Sequence, residues 1–271
     1  MTGTTQAVIL AAGLGTRLRP YTDLLPKPLV EVLGIPILHN ALHQLSEHGI
    51  GDATIVVGYR QELIREACGN RFEDVDIAYV ANPIFDRTGS AYSLWMARDT
   101  LVSGDTVFIE GDVFFEGEVL RRTLEARSAA AQNLAAVASF TTDMSGSAVD
   151  LDADHRVSTF VMNQTPEAAQ ARSLFKTINV TAFSAATSRL VLVTALQRAV
   201  EAGATRAYVE EILASLIDRG ELNLSTVDCS DTRWFEIDSE ADLRIAEALF
   251  ANERPRRREA HQRTAVMQGI R

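Results

Sequence analysis

The stretch that decides the fold runs from Leu10 to Leu29, "LAAGLGTRLRPYTDLLPKPL". It follows directly on a strand-like apolar run, "QAVILA" (Gln6–Ala11), and carries two glycines, two arginines, and a lysine held between prolines. A dinucleotide fingerprint needs G-x-G-x-x-G, because its third glycine lets helix and sheet pack closely. Here that third position is Leu18, and Arg17, Arg19 and Pro20 open a helix badly. A P-loop needs G-x-x-x-x-G-K-[ST], and no such run occurs. What remains is a turn whose amides at Gly13, Leu14, Gly15 and Thr16 are able to line up towards an anion. Arg17 adds a bidentate phosphate donor. Pro26 and Pro28 hold the backbone extended around Lys27 and fix where its ammonium projects.

Outward from this turn, apolar runs alternate with helical spacing, the pattern of a largely parallel sheet covered by helices. Strands are expected over 52–59, 75–82, 105–112 and 133–140, and helices over 36–49, 60–69, 90–101 and 117–128. Ser90 reads as a helix N-cap, and Asp112 closes a strand. After Phe140 the pattern changes. "DLDADHRVSTFVMN" reads as a strand pair joined near Asp154, the mark of an antiparallel extension, and "FKTINVTAFS" (Phe175–Ser184) as a further strand. Two long amphipathic helices follow over 186–203 and 204–220, then short strands over 222–229 and 232–238. A last helix is capped by Ser239 and Asp242. The expectation is one α/β domain over residues 1–251, a Rossmann-like, mostly parallel sheet flanked by helices, with a small antiparallel insertion at about 141–185.

At 271 residues and 46% hydrophobic content the chain is long enough for a sizeable core. Cys68 and Cys229 lie outside any metal-ligand spacing and read as reduced thiols, which with the absence of a basic leader suggests a cytoplasmic protein. No run of apolar residues is long enough to span a membrane. The net charge of −10 speaks against general nucleic-acid binding. That charge is uneven: six arginines face two glutamates from Asn252 onward, so residues 1–251 carry −14. The basic tail, 252–271, reads as a solvated extension, with contact to a partner subunit or an anionic ligand as the sharper reading.

The run Leu10–Leu38 resembles the signature of nucleotidyltransferases that join a nucleoside triphosphate to a phosphorylated acceptor. "IEGDVFF" and "WFEIDSEADL" resemble later elements of the same family and carry the likeness over most of residues 6–250. The resemblance implies a nucleotide-diphospho-sugar transferase-like fold. It also implies that Leu10, Ala11, Ala12, Gly13, Leu14, Gly15 and Thr16 hold base and phosphates, that Arg17 and Lys27 grip the triphosphate and transition state, and that Asp112 and Asp238 hold Mg²⁺. Elementary chemistry agrees: an acceptor oxygen attacks the α-phosphorus and pyrophosphate leaves, so most of the task is neutralising charge. An acceptor phosphate is already ionised near neutral pH, so no strong general base is needed.

"ANPIFDRTGSAYSLWMA" (Ala81–Ala97) resembles the run of cytidylyltransferases acting on phosphocholine or on phosphonates such as 2-aminoethylphosphonate. Asn82, Phe85, Ser90, Tyr92, Ser93 and Leu94 match it, and Gly89 stands where asparagine is usual. By this likeness Ser90 lies near the cytosine, and Asn82 either contributes there or closes the turn before Pro83. "FKTINV" resembles the strand whose lysine and asparagine, here Lys176 and Asn179, meet the acceptor. Trp234, with Phe235, Phe160, Tyr92 and Trp95, offers an aromatic cage for a quaternary ammonium. His155, Arg156, Arg172 and Lys176 offer a basic set suited to an anionic phosphonate.

The expected activity is therefore Mg²⁺-dependent transfer of CMP from CTP to a small phosphonate or phosphate ester, in phosphonate metabolism or cell-surface decoration. A sugar-1-phosphate nucleotidylyltransferase using UTP or dTTP is the alternative. A non-catalytic relative would have lost Arg17, Lys27, Asp112 or Asp238, and all four are present. The sequence leaves the oligomeric state open, a homo-oligomer included.

Overall fold

A computed structural model describes residues 5–130 and 133–251 of the chain. The basic tail expected at 252–271 lies outside the described residues. A ten-stranded sheet forms the body of the fold. Its centre runs in the order Phe175–Phe183, Asp105–Glu110, Thr5–Ala11, Asp52–Val57, Val75–Ala81. Seven of the ten strands share one direction; Arg71–Phe72, Val157–Gln164 and Phe175–Phe183 run against it. The architecture is thus a mixed, mostly parallel sheet flanked by helices, with two small antiparallel pairs beside it.

The first strand shows why. Ala7, Ile9 and Ala11 pack into one apolar layer, and Val8, Leu10 and Ala12 into the other. A strand buried on both faces must be apolar at every position. The helix Ile37–Glu47 covers one face through Leu38, Ala41, Leu42 and Leu45. The helices Ser90–Met96 and Val209–Asp218 cover the other through Ala91, Leu94, Leu213 and Leu216. A third apolar cluster joins Phe114, Phe235 and Ile237 to Leu243, Ala246 and Phe250 of the last helix, Glu240–Phe250. Ser239 and Asp242 form the expected reciprocal cap of that helix.

The order places Asp105–Glu110 and Asp52–Val57 on opposite sides of Thr5–Ala11. Chain connections therefore leave the first strand towards both sides, and a crevice opens at the carboxyl ends of the strands there. The strand pair expected around Asp154 is Gly146–Leu151 with Val157–Gln164. It continues the main sheet, because the long strand Phe175–Phe183 pairs with it at one end and with Asp105–Glu110 at the other.

Four local expectations are corrected. The helix expected over 90–101 is two helices, Ser90–Met96 and Arg98–Ser103. Gly89, not Ser90, takes the N-cap position, and Ser90 Oγ accepts the amide of Val209 at 2.9 Å. The helix expected over 186–203 is broken into Ala185–Thr187, a wide turn over Ser188–Leu192, and Val193–Glu201. The helix expected to begin at 204 begins at Val209. The preceding segment is used otherwise: the amides of Gly89 and Ala91 donate to the carbonyls of Thr205 and Ala207 at 2.9 and 3.2 Å. A Cβ on Gly89 would collide with the carbonyl oxygens of Arg206 and Ala207. The asparagine usual here would therefore push this loop away. Gly89→Ala is expected to destabilise the protein by about 1–3 kcal/mol, the usual range for overpacking, read as a lower urea midpoint. An unchanged midpoint would mean that the loop yields freely.

Candidate active site

The crevice is a cleft of about 460 Å³, inside the range of about 300–1,000 Å³ usual for small-molecule sites. One wall is the turn after the first strand. Gly15 has φ +61°, and a Cβ there would stand 2.8 Å from Cβ of Lys27, so this position needs glycine. Thr22 Oγ1 donates to the Gly15 carbonyl at 2.8 Å and pins the turn from behind. Gly13 has nothing within 4 Å of where its Cβ would lie, so its missing side chain leaves room in the cleft and serves no internal packing. The amides of Gly13, Leu14 and Gly15 donate to no described residue, which leaves them free for an anion.

Asp112 and Asp238 line the same cleft. Lys27 Nζ lies 2.9 Å from Asp112 Oδ2 and 2.6 Å from Asp238 Oδ1, and Arg17 reaches Asp238 Oδ2 at 2.8 Å. Burial by itself would lower the Lys27 ammonium, but Asp112 and Asp238 outweigh it and hold the group above its ordinary range. Burial likewise works to raise Asp238, and Lys27 and Arg17 overcome it, leaving that carboxyl below the usual range.

Glu236 was not among the residues singled out from the sequence, yet it completes the cluster. Oxygens of Asp112, Glu236 and Asp238 lie within 4.8 Å of one another. Two positions apart after a strand, 236 and 238 share a face, which is the signal that would have found it. Asp112 Oδ1 is buried without a hydrogen-bond partner. A compact set of hard oxygen donors with one oxygen unsatisfied fits a divalent cation such as Mg²⁺.

Glu236 is oriented from behind by Lys176 Nζ at 2.6 Å and Asn179 Nδ2 at 3.1 Å. Burial pushes its carboxyl up, and Lys176 opposes that shift. Residues 176 and 179 would face opposite ways on a regular strand. The register slips between Thr177 and Thr181, and Asn179 takes a left-handed conformation at φ 63°. Such a bulge re-aims side chains, and asparagine tolerates that backbone well. Both groups consequently meet one carboxylate.

The remaining expected residues divide. Leu10, Ala11, Ala12, Thr16 and Ser90 line the cleft. Asn82 is buried, and its side chain is spent on the turn: Nδ2 donates to Thr88 and Ser93 hydroxyls and Oδ1 accepts the Ile84 amide. Of its two readings, the turn-closing one matches this geometry. Trp234 is 4% exposed and packed in the core. It shares no pocket with Phe235, Trp95 or Phe160, which belong to two other apolar clusters, so these aromatics form no cage. Arg156 pairs with Asp154 on an exposed turn, and Arg172 with Asp150 of the strand Gly146–Leu151. Lys176 alone of the basic set meets the carboxylate cluster. Glu110, Arg206 and Tyr208 line the cleft and were not anticipated. Both cysteines are free and buried, which raises each thiol to about 12. No helix among the described residues is long and apolar enough to cross a membrane.

Comparison with known proteins gives a consistent frame. The model of the family described as "Nucleotidyl transferase" matches residues 6–228. Among curated proteins, the chain is 32% identical over 254 residues to a CMP-5'-(3-aminopropyl)phosphonate synthase of Streptomyces rubellomurinus, covering 93% of this chain and 40% of that protein. It is 39% identical over 129 residues to a UTP–glucose-1-phosphate uridylyltransferase of Haloferax volcanii, covering 46% of this chain and 52% of that one. The chain thus spans about half or less of the length of these relatives. Among solved structures, a CTP:phosphocholine cytidylyltransferase from Streptococcus pneumoniae superposes with TM-score 0.71 at 23% identity, covering 91% of this chain and 99% of that chain.

Proposed function

The chain belongs to the nucleotidyl transferase family, and from that premise we propose that it transfers CMP from CTP to a small phosphonate or phosphate-ester acceptor with release of pyrophosphate. The observation that carries this reading is the cleft itself: free turn amides line it together with Arg17 and Lys27, which pair with Asp112 and Asp238, and Glu236 completes the carboxylate cluster behind them. The turn over Gly13–Gly15 and Arg17 receive the triphosphate. Lys27 is poised to follow the charge that develops when the acceptor oxygen bonds to the α-phosphorus and the bond to pyrophosphate breaks. Asp112 and Asp238, with Glu236, would hold Mg²⁺, which when bound neutralises phosphate charge and helps align the two reactants. Lys176 and Asn179 set the position of Glu236, and the Lys176 ammonium lends positive charge to the acceptor side. Ser90 lies on the base side, at the start of the helix Ser90–Met96, which Asn82 ties to the preceding turn through Ser93.

The choice of cytidylyl transfer to a phosphonate rests on extent. Likeness to the aminopropylphosphonate relative runs over 254 residues, through the acceptor-side strands. Likeness to the uridylyltransferase is higher but covers 46% of the chain. That shorter match keeps sugar-1-phosphate transfer as the second reading. Pyrophosphate release should be measured with Mg²⁺ and each nucleoside triphosphate against phosphonates, phosphocholine and glucose 1-phosphate. Release is expected with CTP and a small phosphonate. Release confined to UTP or dTTP with glucose 1-phosphate would move the protein to the second reading.

A further inference from the structure

Two anionic reactants have to share the cleft, and its cations are unequally free to meet them. Arg17 and Lys27 are held by Asp238 and Asp112, and Lys176 by Glu236, so three cations balance three carboxylates before any reactant enters. Lys176, expected to meet the acceptor, is 2% exposed and stands outside the residues that line the cleft. Arg87 lines the cleft beside Asp86, at 3.6 Å. Arg206 lines it too, is exposed, and makes no ion pair or side-chain hydrogen bond with the described residues. The backbone that carries it is nevertheless held on both sides. The Ala207 amide donates to the Ala204 carbonyl at 3.2 Å and closes a turn with Thr205 and Arg206 at its centre. Gly89 and Ala91 donate to the carbonyls of that turn, and the amides of Tyr208 and Val209 donate to Glu211 Oε2 and Ser90 Oγ at 2.7 and 2.9 Å. A free guanidinium on a fixed backbone is a preorganised binding group. The same segment leads into the helix Val209–Asp218, whose Glu210 lines a small adjoining cavity with Glu110, Thr177 and Asn179. Arg206 thus stands on the side of the strand Phe175–Phe183, where the acceptor is expected.

We propose that Arg206 receives the anionic headgroup of the acceptor, the phosphonate or phosphate whose oxygen attacks the α-phosphorus. The inference rests on the reading of the main cleft as the transfer site. Such a headgroup is largely doubly ionised near neutral pH, and two of its oxygens match the planar fork of a guanidinium. Its third oxygen stays free to form the bond to the α-phosphorus as the bond to pyrophosphate breaks. Arg206 gives up no proton in that step, because a guanidinium stays charged in proteins. The turn amides, Arg17 and Lys27 serve the triphosphate, so each reactant meets a cation of its own and the repulsion between them is offset from both sides. Lys176 acts on the acceptor only from behind Glu236.

The test compares wild type, Arg206→Met and Arg206→Lys in CTP-dependent pyrophosphate release, with 3-aminopropylphosphonate, 2-aminoethylphosphonate and phosphocholine as acceptors. Arg206→Met should raise the acceptor KM by about 10- to 100-fold, the usual worth of hydrogen bonds to a charged group. Its CTP KM should stay within about twofold of wild type. Arg206→Lys keeps the charge without the fork and should recover part of the loss. The urea midpoint of Arg206→Met should not move, since the side chain is exposed and bonds to no described residue. Calorimetry reads the same split without turnover: with α,β-methylene-CTP bound, the acceptor should bind Arg206→Met about tenfold or more weakly than wild type. An unchanged acceptor KM overturns the proposal, and so does a rise confined to the CTP KM, which would put Arg206 on the triphosphate. Either result, with CTP-dependent release intact, leaves the transfer reading standing. Release confined to UTP or dTTP with glucose 1-phosphate would instead overturn the CTP reading, and the same KM comparison with glucose 1-phosphate would still decide for or against Arg206.

Discussion

Lys27→Met is expected to lower kcat/KM for CTP by about 10³-fold or more while leaving a folded protein. Removing one donor aimed at developing charge costs about 10²–10³ in kcat, and Lys27 is both donor and counter-ion here. Its side chain is 13% exposed, and its ammonium is held between Asp112 and Asp238. Burial is set against it, yet the two carboxylates hold it above its ordinary range, which favours the cationic form. Methionine keeps the length and apolar stem but leaves the carboxylates facing one another without that charge. Two readouts separate the roles. Steady-state kinetics should show the loss, and Mg²⁺ binding by calorimetry without nucleotide should be retained or tightened, because a competing cation has gone. A variant within about tenfold of wild-type kcat/KM would remove Lys27 from the transfer step.

The turn at the opening of the chain was readable because its physics is local. Gly15, Arg17, Lys27 and the flanking prolines sit close in sequence, and each restricts backbone or charge in a way that spacing reveals. Asp112 and Asp238 were readable for a related reason: both follow strands, and strand ends in such a sheet meet at one crevice. What escaped depends on long-range geometry. Glu236 looked like one residue of a strand until that strand, Trp234–Glu236, paired with Val113–Phe115 and brought it beside Asp112. Glu110 and Glu210 come from distant elements that only the packed fold sets around one cavity. Trp234 failed as an acceptor contact because exposure is invisible in sequence, and an aromatic on a short strand is most readily spent on the core. The helix expected at 204–220 starts late because the segment before Val209 is drawn into backbone hydrogen bonds with Gly89 and Ala91. Helical spacing does not report that competition.

Lys176→Met is expected to destabilise the protein by about 3–5 kcal/mol, the usual cost of removing one partner from a buried ion pair. Lys176 is 2% exposed and its ammonium stands 2.6 Å from Glu236 Oε2. The same figure does not measure what the pair contributes, because most of it is the penalty on a stranded Glu236. The double variant Lys176→Met with Glu236→Gln should therefore recover much of the loss, and the coupling is read from urea unfolding of wild type, both single variants and the double variant. The pH dependence has a definite sign. Burial already raises the Glu236 carboxyl and Lys176 holds it down; without Lys176 it rises further above its unfolded value. A carboxyl raised in the folded state costs stability above the unfolded pKa and ceases to do so once protonated. The deficit of Lys176→Met in metal-free buffer should therefore shrink as pH is lowered from neutrality through the raised range towards the ordinary glutamate value. A deficit constant with pH, or a double variant as unstable as the single one, would show that Lys176 acts through its packed stem and not through Glu236. Its place at the transfer site would then fall as well, because the ammonium reaches the carboxylate cluster only through that pairing.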